Sequence, residues 1–329
     1  MIAFGQDGGT LEWAAHRRVA VLVPCLNEEA SVGQVVADFR RALPNAVIYV
    51  YDNNSTDRTI ALACEAGATV RNERRQGKGH VVRRMFADID ADIYVLVDGD
   101  ATYDATSAPE MIAVLIDQHL DMVVGRRIEQ QEAAYRPGHR IGNRVLTGFL
   151  STAFGPQFKD ALSGYRVLSR RFVKSFPILS GGFETETELT VHALELALPA
   201  AEIATRYYPR PAGSISKLST WRDGFRILKT IVQLYRFEKP LRFFGLIAIC
   251  LALGALVLAA PIAVTYIEDG LVPQLPTVVL STGLMILAML SASSGLVLDT
   301  VARSRREMKL LSYLLQRADR PRIESKCFD

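Results

Sequence analysis

Four short apolar runs dictate what this chain can fold into. Val19–Val23 and Ala46–Tyr51 read as strands and Ala68–Arg71 as a short extended piece, while Ile93–Val97 is β-branched and aromatic enough to be a strand buried on both faces. Between them, apolar residues recur at helical spacing: Val32, Val35, Val36, Phe39 and Leu43 ahead of Pro44, a shorter stretch from Asp57 to Glu65 closed by Gly67, and Val81, Val82, Met85 and Phe86 after Gly77-Lys78-Gly79. Strand and helix alternating in this way predict an α/β domain with a parallel sheet and helices on both faces, whose ligands belong at the carboxyl ends of the strands. Three of those ends are polar: Asn27-Glu28-Glu29, Asp52 to Asp57, and Asp98-Gly99-Asp100. Unrelated turns would not converge on one crevice.

The Asp98-Gly99-Asp100 stretch closes the most buried-looking run. Alternate residues of a strand point the same way, so both carboxylates face one cation if the extended geometry persists. Hard oxygen donors suit Mg²⁺ or Mn²⁺, with phosphate oxygens and water filling the remaining positions. Asp-Gly is also a common turn dipeptide, and a polar turn is the competing reading of these residues taken alone. Ser55 and Asp57 read as helix caps, whereas Asp52, which ends a buried strand, is expected to hydrogen-bond to a base or ribose. Gly77-Lys78-Gly79, with Arg74 and Arg75 before it, has the composition of a phosphate loop without the full Walker pattern; a solvated basic turn is the alternative.

Taken together, these residues resemble an inverting GT-A glycosyltransferase of the polyprenyl-phosphate type, similar to dolichol-phosphate mannose synthase, over roughly residues 18 to 240. Val23-Pro24-Cys25-Leu26-Asn27-Glu28-Glu29 resembles that family's opening Val-Pro-x-x-Asn-Glu. Asp52 to Asp57 resembles its Asp-Asp-Gly-Ser-x-Asp, with Asn53 and Asn54 replacing Asp and Gly, a departure that hints at an altered nucleotide pocket. Gly77-Lys78-Gly79 and Asp98-Gly99-Asp100 match its Gly-Lys-Gly and its metal-binding Asp-x-Asp. Leu120 to Arg127 resembles Val-x-Gly-Ser-Arg. Asp160-Ala161-Leu162-Ser163-Gly164-Tyr165-Arg166 resembles Asp-x-x-Ser-Gly-Phe-Arg, Gly182 to Glu186 falls where the family places a carboxylate near the acceptor, and Gly213-Ser214-Ile215-Ser216-Lys217-Leu218 resembles its Gly-x-Ser-Lys-Leu loop.

The resemblance implies a GT-A, Rossmann-like catalytic domain. Its donor would be a UDP- or GDP-linked sugar, held by Pro24, Asn27, Glu28, Glu29, Asp52, Asn54, Arg74, Lys78, Asp98, Gly99 and Asp100. Asp98 and Asp100 would carry Mg²⁺ or Mn²⁺. The acceptor, an undecaprenyl- or dolichyl-type polyprenyl phosphate, would be met by Arg127, Arg140, Ser163, Arg166, Arg210, Ser216 and Lys217. Asp98, Asp100, Arg127, Glu186 and Lys217 are the expected catalytic set, with Glu186 orienting groups rather than abstracting a proton.

After Trp221 the character changes. Trp221, Phe225, Leu228, Ile231, Val232 and Tyr235 recur at helical spacing among Arg222, Arg226, Lys229 and Arg236, the pattern of a helix on a membrane surface and equally of a packed core. Phe243–Ile267 and Leu275–Leu298 are each long enough to cross about 30 Å of hydrocarbon, and Ser291 and Gly295 lie either in a helix contact or toward lipid. The joining Glu268-Asp269-Gly270 is acidic, while basic residues flank the outer ends. By the positive-inside rule both termini lie in the cytoplasm, at the cytoplasmic or endoplasmic reticulum membrane. The expected divisions are an extension at 1–17, a catalytic domain at 18–218, an interfacial helix at 219–242, a hairpin at 243–301 and an amphipathic tail at 302–329.

Net charge is only +3 with 49% hydrophobic residues, so the basic residues after position 200 imply a basic face for phosphates or membrane and not a nucleic-acid binder. Four scattered cysteines indicate neither zinc nor disulfides, and the first seventeen residues lack a secretory core segment. Self-association through the hairpin is compatible with the pattern. Two rival readings stand: a processive polysaccharide synthase, against which Gln233-Leu234-Tyr235-Arg236-Phe237 carries Phe where Gln-x-x-Arg-Trp is expected, and a non-catalytic sensor of nucleotide sugars.

Overall fold

The computed structural model describes residues 17–129, 148, 155, 158–178, 182, 184–211, 220–272 and 274–316. The chain divides into two compact units, residues 1–228 with 309–329, and residues 229–308.

In the first unit the expected alternation is β1 (Val19–Cys25), α1 (Val32–Ala42), β2 (Val47–Asp52), α2 (Thr59–Glu65), β3 (Thr69–Asn72), α3 (Lys78–Asp88) and β4 (Ile93–Leu96). A 3₁₀ turn (Ala105–Ser107), α4 (Ala108–Asp117), β5 (Met122–Glu129), β6 (Arg166–Ser169), α5 (Arg170–Ser175), α6 (Thr185–Glu195) and β7 (Ala200–Tyr207) complete the domain. The seven strands lie in the order β3-β2-β1-β4-β6-β5-β7. All neighbours pair in parallel except β6, which runs antiparallel between β4 and β5. A mostly parallel sheet of this kind is the GT-A arrangement expected from the sequence.

β1 and β4 are buried along their whole length because their runs are apolar on both faces, whereas β3, with Thr69, Arg71 and Asn72, is largely exposed at the sheet's edge. Val21, Val23, Val95 and Val97 share one core with Val35 and Phe39 of α1 and Met111 and Ile112 of α4. The parallel register sets Cys25 beside Asp52 and Leu22 beside Leu96, so the carboxyl ends of β1, β2 and β4 finish at one edge.

The first unit also contains the end of a helix from far along the chain. Tyr313 Oη donates to the buried Asp121 carboxylate at 2.6 Å, with Arg171 stacked 4.0 Å over the Tyr313 ring. One turn earlier, Lys309 pairs with Glu195 at 2.7 Å.

Helix α7 (Thr220–Glu238) precedes two helices long and apolar enough to cross a membrane, α8 (Pro240–Asp269) and α9 (Leu275–Leu315). Within the second unit, the buried residues Ala248, Ala255 and Ile262 of α8 and Ser281, Ala288, Gly295 and Ala302 of α9 recur every seventh residue, the spacing of a left-handed helix seam. Ser291 Oγ donates to Phe244 O at 2.9 Å, and a Cβ on Gly295 would stand 3.0 Å from Phe244 Cβ. Ser291 and Gly295 thus lie at the helix contact, not toward lipid. The first part of the expected tail, as far as Leu315, is continuous with α9, because nothing between Leu298 and Met308 is Gly or Pro.

Candidate active site

At the ends of β1 and β2, two loops are laced together. Asn27 N donates to Ser55 Oγ at 2.8 Å, and Asn27 Oδ1 accepts from Thr56 N at 2.7 Å. Glu28 N donates to Thr59 Oγ1, Glu29 N to the Asp57 carboxylate, and Arg58 N to the Glu29 carboxylate. Asn27 and Glu29, expected at the donor, therefore spend these groups on loop geometry. The Glu28 carboxylate accepts from Ser31, whose hydroxyl also donates to Gly99 O at 2.7 Å. Pro24 lies within β1 opposite Tyr51. Asp57 accepts from Thr59 N in the first turn of α2, as a cap, whereas Ser55 serves the neighbouring loop instead.

Asp52 is buried. Its Oδ2 accepts from Ser55 N at 3.0 Å, while its Oδ1 is buried with no hydrogen-bond partner among the described residues. A buried carboxylate oxygen in that state favours a donor group from a ligand. Asn54 has a left-handed backbone, φ 67°, which asparagine tolerates almost as glycine does. This explains how it stands where the resembled motif carries Gly. Arg74 is exposed, and its carbonyl accepts from Asn54 Nδ2.

The Asp98-Gly99-Asp100 segment does not stay extended. β4 stops at Leu96 and the chain turns, with Ala101 at φ 56° and the Thr102 amide and hydroxyl both donating to Asp100 Oδ1. Each carboxylate nevertheless meets a cation. Lys78 bridges Asp98 and Glu186, drawing together residues from α3, the β4 end and α6. Arg210 pairs with Asp100 at 2.7 Å. Burial alone would pull the Lys78 ammonium down, but Asp98 and Glu186 outweigh it and hold it above the ordinary lysine value. Burial, and then the charge on Asp98, lifts the Asp100 carboxyl above the usual range, against Arg210 and Thr102. Glu186 Oε2 is buried without a hydrogen-bond partner. Gly164 permits this crowding, since a Cβ there would lie 2.6 Å from Asp98 Oδ2.

Among the described residues no three His, Cys, Asp or Glu side chains gather as a metal cage. Asp98 and Asp100 still fit a divalent cation, because their hard oxygens already attract positive charge and Mg²⁺ commonly takes only one or two carboxylates beside phosphate and water.

Around β5 and β6, next to β4 in the sheet, the residues expected to meet the acceptor have other partners. Arg166 is fully buried; its guanidinium donates to Ser163 O at 3.0 Å, Ala161 O at 2.7 Å, and Glu186 O and Thr190 Oγ1 at 2.9 Å each. Burial pushes it down to about 10, offset in part by Glu186 and Asp160. Ser163, equally buried, donates to Gly125 O at 2.6 Å. Neither side chain reaches solvent, and their hydrogen bonds hold β5, β6 and α6 together. Arg127 donates through Nε and Nη2 to Asp160 at 2.8 and 2.7 Å and lies 5.7 Å from the centre of the Tyr207 ring. Arg140, Ser216 and Lys217, with the Gly213–Leu218 loop, lie outside the described residues.

Sequence reasoning missed the Lys78–Glu186 and Asp100–Arg210 pairs, which join residues separated by more than a hundred positions. It also missed Asp160 as the partner of Arg127. The start of Asp-x-x-Ser-Gly-Tyr-Arg was the available signal for that one.

A family model described as glycosyl transferase family 2 matches residues 20–176. Glycosyltransferase AglJ of Haloferax volcanii is 33% identical over 305 residues, 90% of this chain and 98% of that protein. A dolichyl-phosphate hexose transferase of the same organism is 28% identical over 221 residues, 67% of this chain and 95% of its own. Among solved structures, glucosyl-3-phosphoglycerate synthase from Mycobacterium tuberculosis with Mn²⁺, UDP-glucose and phosphoglyceric acid aligns with a TM-score of 0.56 at 22% identity, covering 71% of this chain and 85% of that one.

Proposed function

Because this chain belongs to glycosyl transferase family 2 and is a glycosyltransferase, we propose that it moves one sugar from a nucleotide sugar to a polyprenyl phosphate. The observation that carries the reading is the charge cluster at the strand ends, Asp98 and Asp100 matched by Lys78 and Arg210 beside a buried Asp52 oxygen with no partner. Three supports accompany it: a neighbouring fold whose solved structure holds Mn²⁺ and UDP-glucose, a relative named for dolichyl-phosphate hexose transfer, and two helices apolar enough to cross a membrane.

The reaction is a displacement. An oxygen of the acceptor phosphate attacks the anomeric carbon, the bond to the nucleotide diphosphate breaks, and the configuration inverts. A phosphate monoester loses its second proton near about pH 6, so the nucleophile is already anionic at neutral pH and needs no general base. Asp52 binds the nucleoside. Glu186 orients Lys78, and Lys78 and Arg210 bring positive charge to the place where the diphosphate leaves. A divalent cation on Asp98 and Asp100 supplies further charge for that leaving group when bound. In the membrane, α8 and α9 form a hairpin with its acidic Glu268–Asp269 end outside and both termini in the cytoplasm.

The test is a panel of UDP- and GDP-sugars incubated with membranes containing the protein and polyprenyl phosphate, with and without EDTA, read by the mass of the lipid product. A single hexose increment that EDTA abolishes is expected. Long glycan would favour a processive synthase, and the absence of any lipid-linked sugar would overturn the reading.

A further inference from the structure

Asn53 and Asn54 stand where the resembled motif has Asp and Gly, which invites the idea of an altered nucleotide pocket. The Asn53 side chain is directed elsewhere. Buried at the end of β2, its Nδ2 donates to Glu73 O and Arg75 O, both at 2.8 Å, and its Oδ1 accepts from Gly77 N at 2.6 Å. Asn54 Nδ2 adds a bond to Arg74 O at 2.9 Å, and Glu73 N donates to Asp52 O at 2.9 Å. Residues 52–54 thus meet main-chain groups of 73, 74, 75 and 77 in succession, which is most of the loop between β3 and α3.

That loop delivers Lys78. Gly77 has φ 129° and ψ 135°, a backbone that side-chain-bearing residues rarely adopt, and Lys78 follows as the first residue of α3. The start of α3 has no side-chain cap of its own, so the Asn53 oxygen on Gly77 N fixes its entry. We propose that Asn53 is a positioning residue for sugar transfer: its carboxamide latches the 73–77 loop and thereby sets the Lys78 ammonium between Asp98 and Glu186. The chemistry is specific to the amide. A carboxylate of the same shape would still accept from Gly77 N, but it would turn lone pairs on the Glu73 and Arg75 carbonyls where Asn53 places two N–H donors.

The kinetic half of the test rests on the transfer reaction proposed above; the proteolytic half does not. In full-length protein in detergent, Asn53→Asp should speed trypsin cleavage after the exposed Arg74 and Arg75 by about tenfold or more, since two hydrogen bonds to the loop are lost. Its kcat should fall by at least about tenfold, and combining it with Lys78→Ala should cost no more than Lys78→Ala alone, because both act through one ammonium. Should Asn53→Asp fail to fold, Asn53→Ala, which removes the bonds without adding repulsion, is held to the same criteria. Unchanged cleavage at Arg74 and Arg75, or losses that multiply in the double variant, would overturn the inference.

Discussion

Two neighbouring groups of strands in one sheet use the same residue types for opposite ends. At the carboxyl ends of β1, β2 and β4, Asp52 Oδ1 is buried with no hydrogen-bond partner among the described residues, and Asp98 and Asp100 hold cations drawn from distant parts of the chain. Around β5, β6 and α6, Ser163 and Arg166 make their bonds to main-chain carbonyls and to Thr190, and are sealed from solvent. A motif arginine and a motif aspartate look equally functional as letters. What separates them is the kind of partner the fold supplies: Ser163 and Arg166 are locked to main-chain carbonyls, whereas Asp98 and Asp100 meet cationic side chains, which the proposed reading gives a part in ligand binding.

Variants can break this contrast. Arg166→Met should have the largest effect on folding, roughly 3–5 kcal/mol, because it leaves several buried carbonyls without their donor; a denaturant midpoint equal to wild type would place Arg166 outside the scaffold. Asp52→Asn should leave the melting temperature unchanged while weakening donor binding about tenfold, as expected for one hydrogen bond to a ligand. That effect is read from the KM for the nucleotide sugar, and a loss of stability in its place would move Asp52 to the scaffold side.

A third effect concerns acid. His192, on α6, is packed against Phe172 and Phe176 with neither ring nitrogen hydrogen-bonded. Burial first and Lys309 second lower it from 6.5 to about 4, against Glu195. Between those values the unfolded chain takes up a proton that the folded chain refuses, so this site's stability is present above pH 6.5 and declines as pH falls towards 4. The slope approaches about 1.4 kcal/mol per pH unit. His192→Leu should flatten that slope in pH-dependent melting; an unchanged slope would assign the acid sensitivity to other groups.

Much of this was legible in the letters. Val-rich runs ending in Asn, Asp and Gly located β1, β2 and β4 and their polar ends, and the long apolar stretches located α8 and α9. Burial was not legible. Arg166 and Arg210 are both arginines in motif-like surroundings, yet one is fully enclosed and the other reaches Asp100, a difference decided by which strands flank each residue. The antiparallel β6 that encloses Arg166 has only four residues, too few for periodicity to reveal its direction. Asn53 escaped for a related reason: its partners are main-chain atoms some twenty residues away, and main-chain atoms leave no mark in a sequence.

If the carboxylates at the β4 end serve transfer to a lipid phosphate and not the fold, Asp100→Ala, purified in detergent and given labelled nucleotide sugar and polyprenyl phosphate, separates the two roles. Wild-type protein should place one hexose on each lipid phosphate, and the variant should melt where wild type melts but lose about a thousandfold or more in kcat. Wild-type turnover by the variant, or a variant that no longer folds, would contradict that role in transfer.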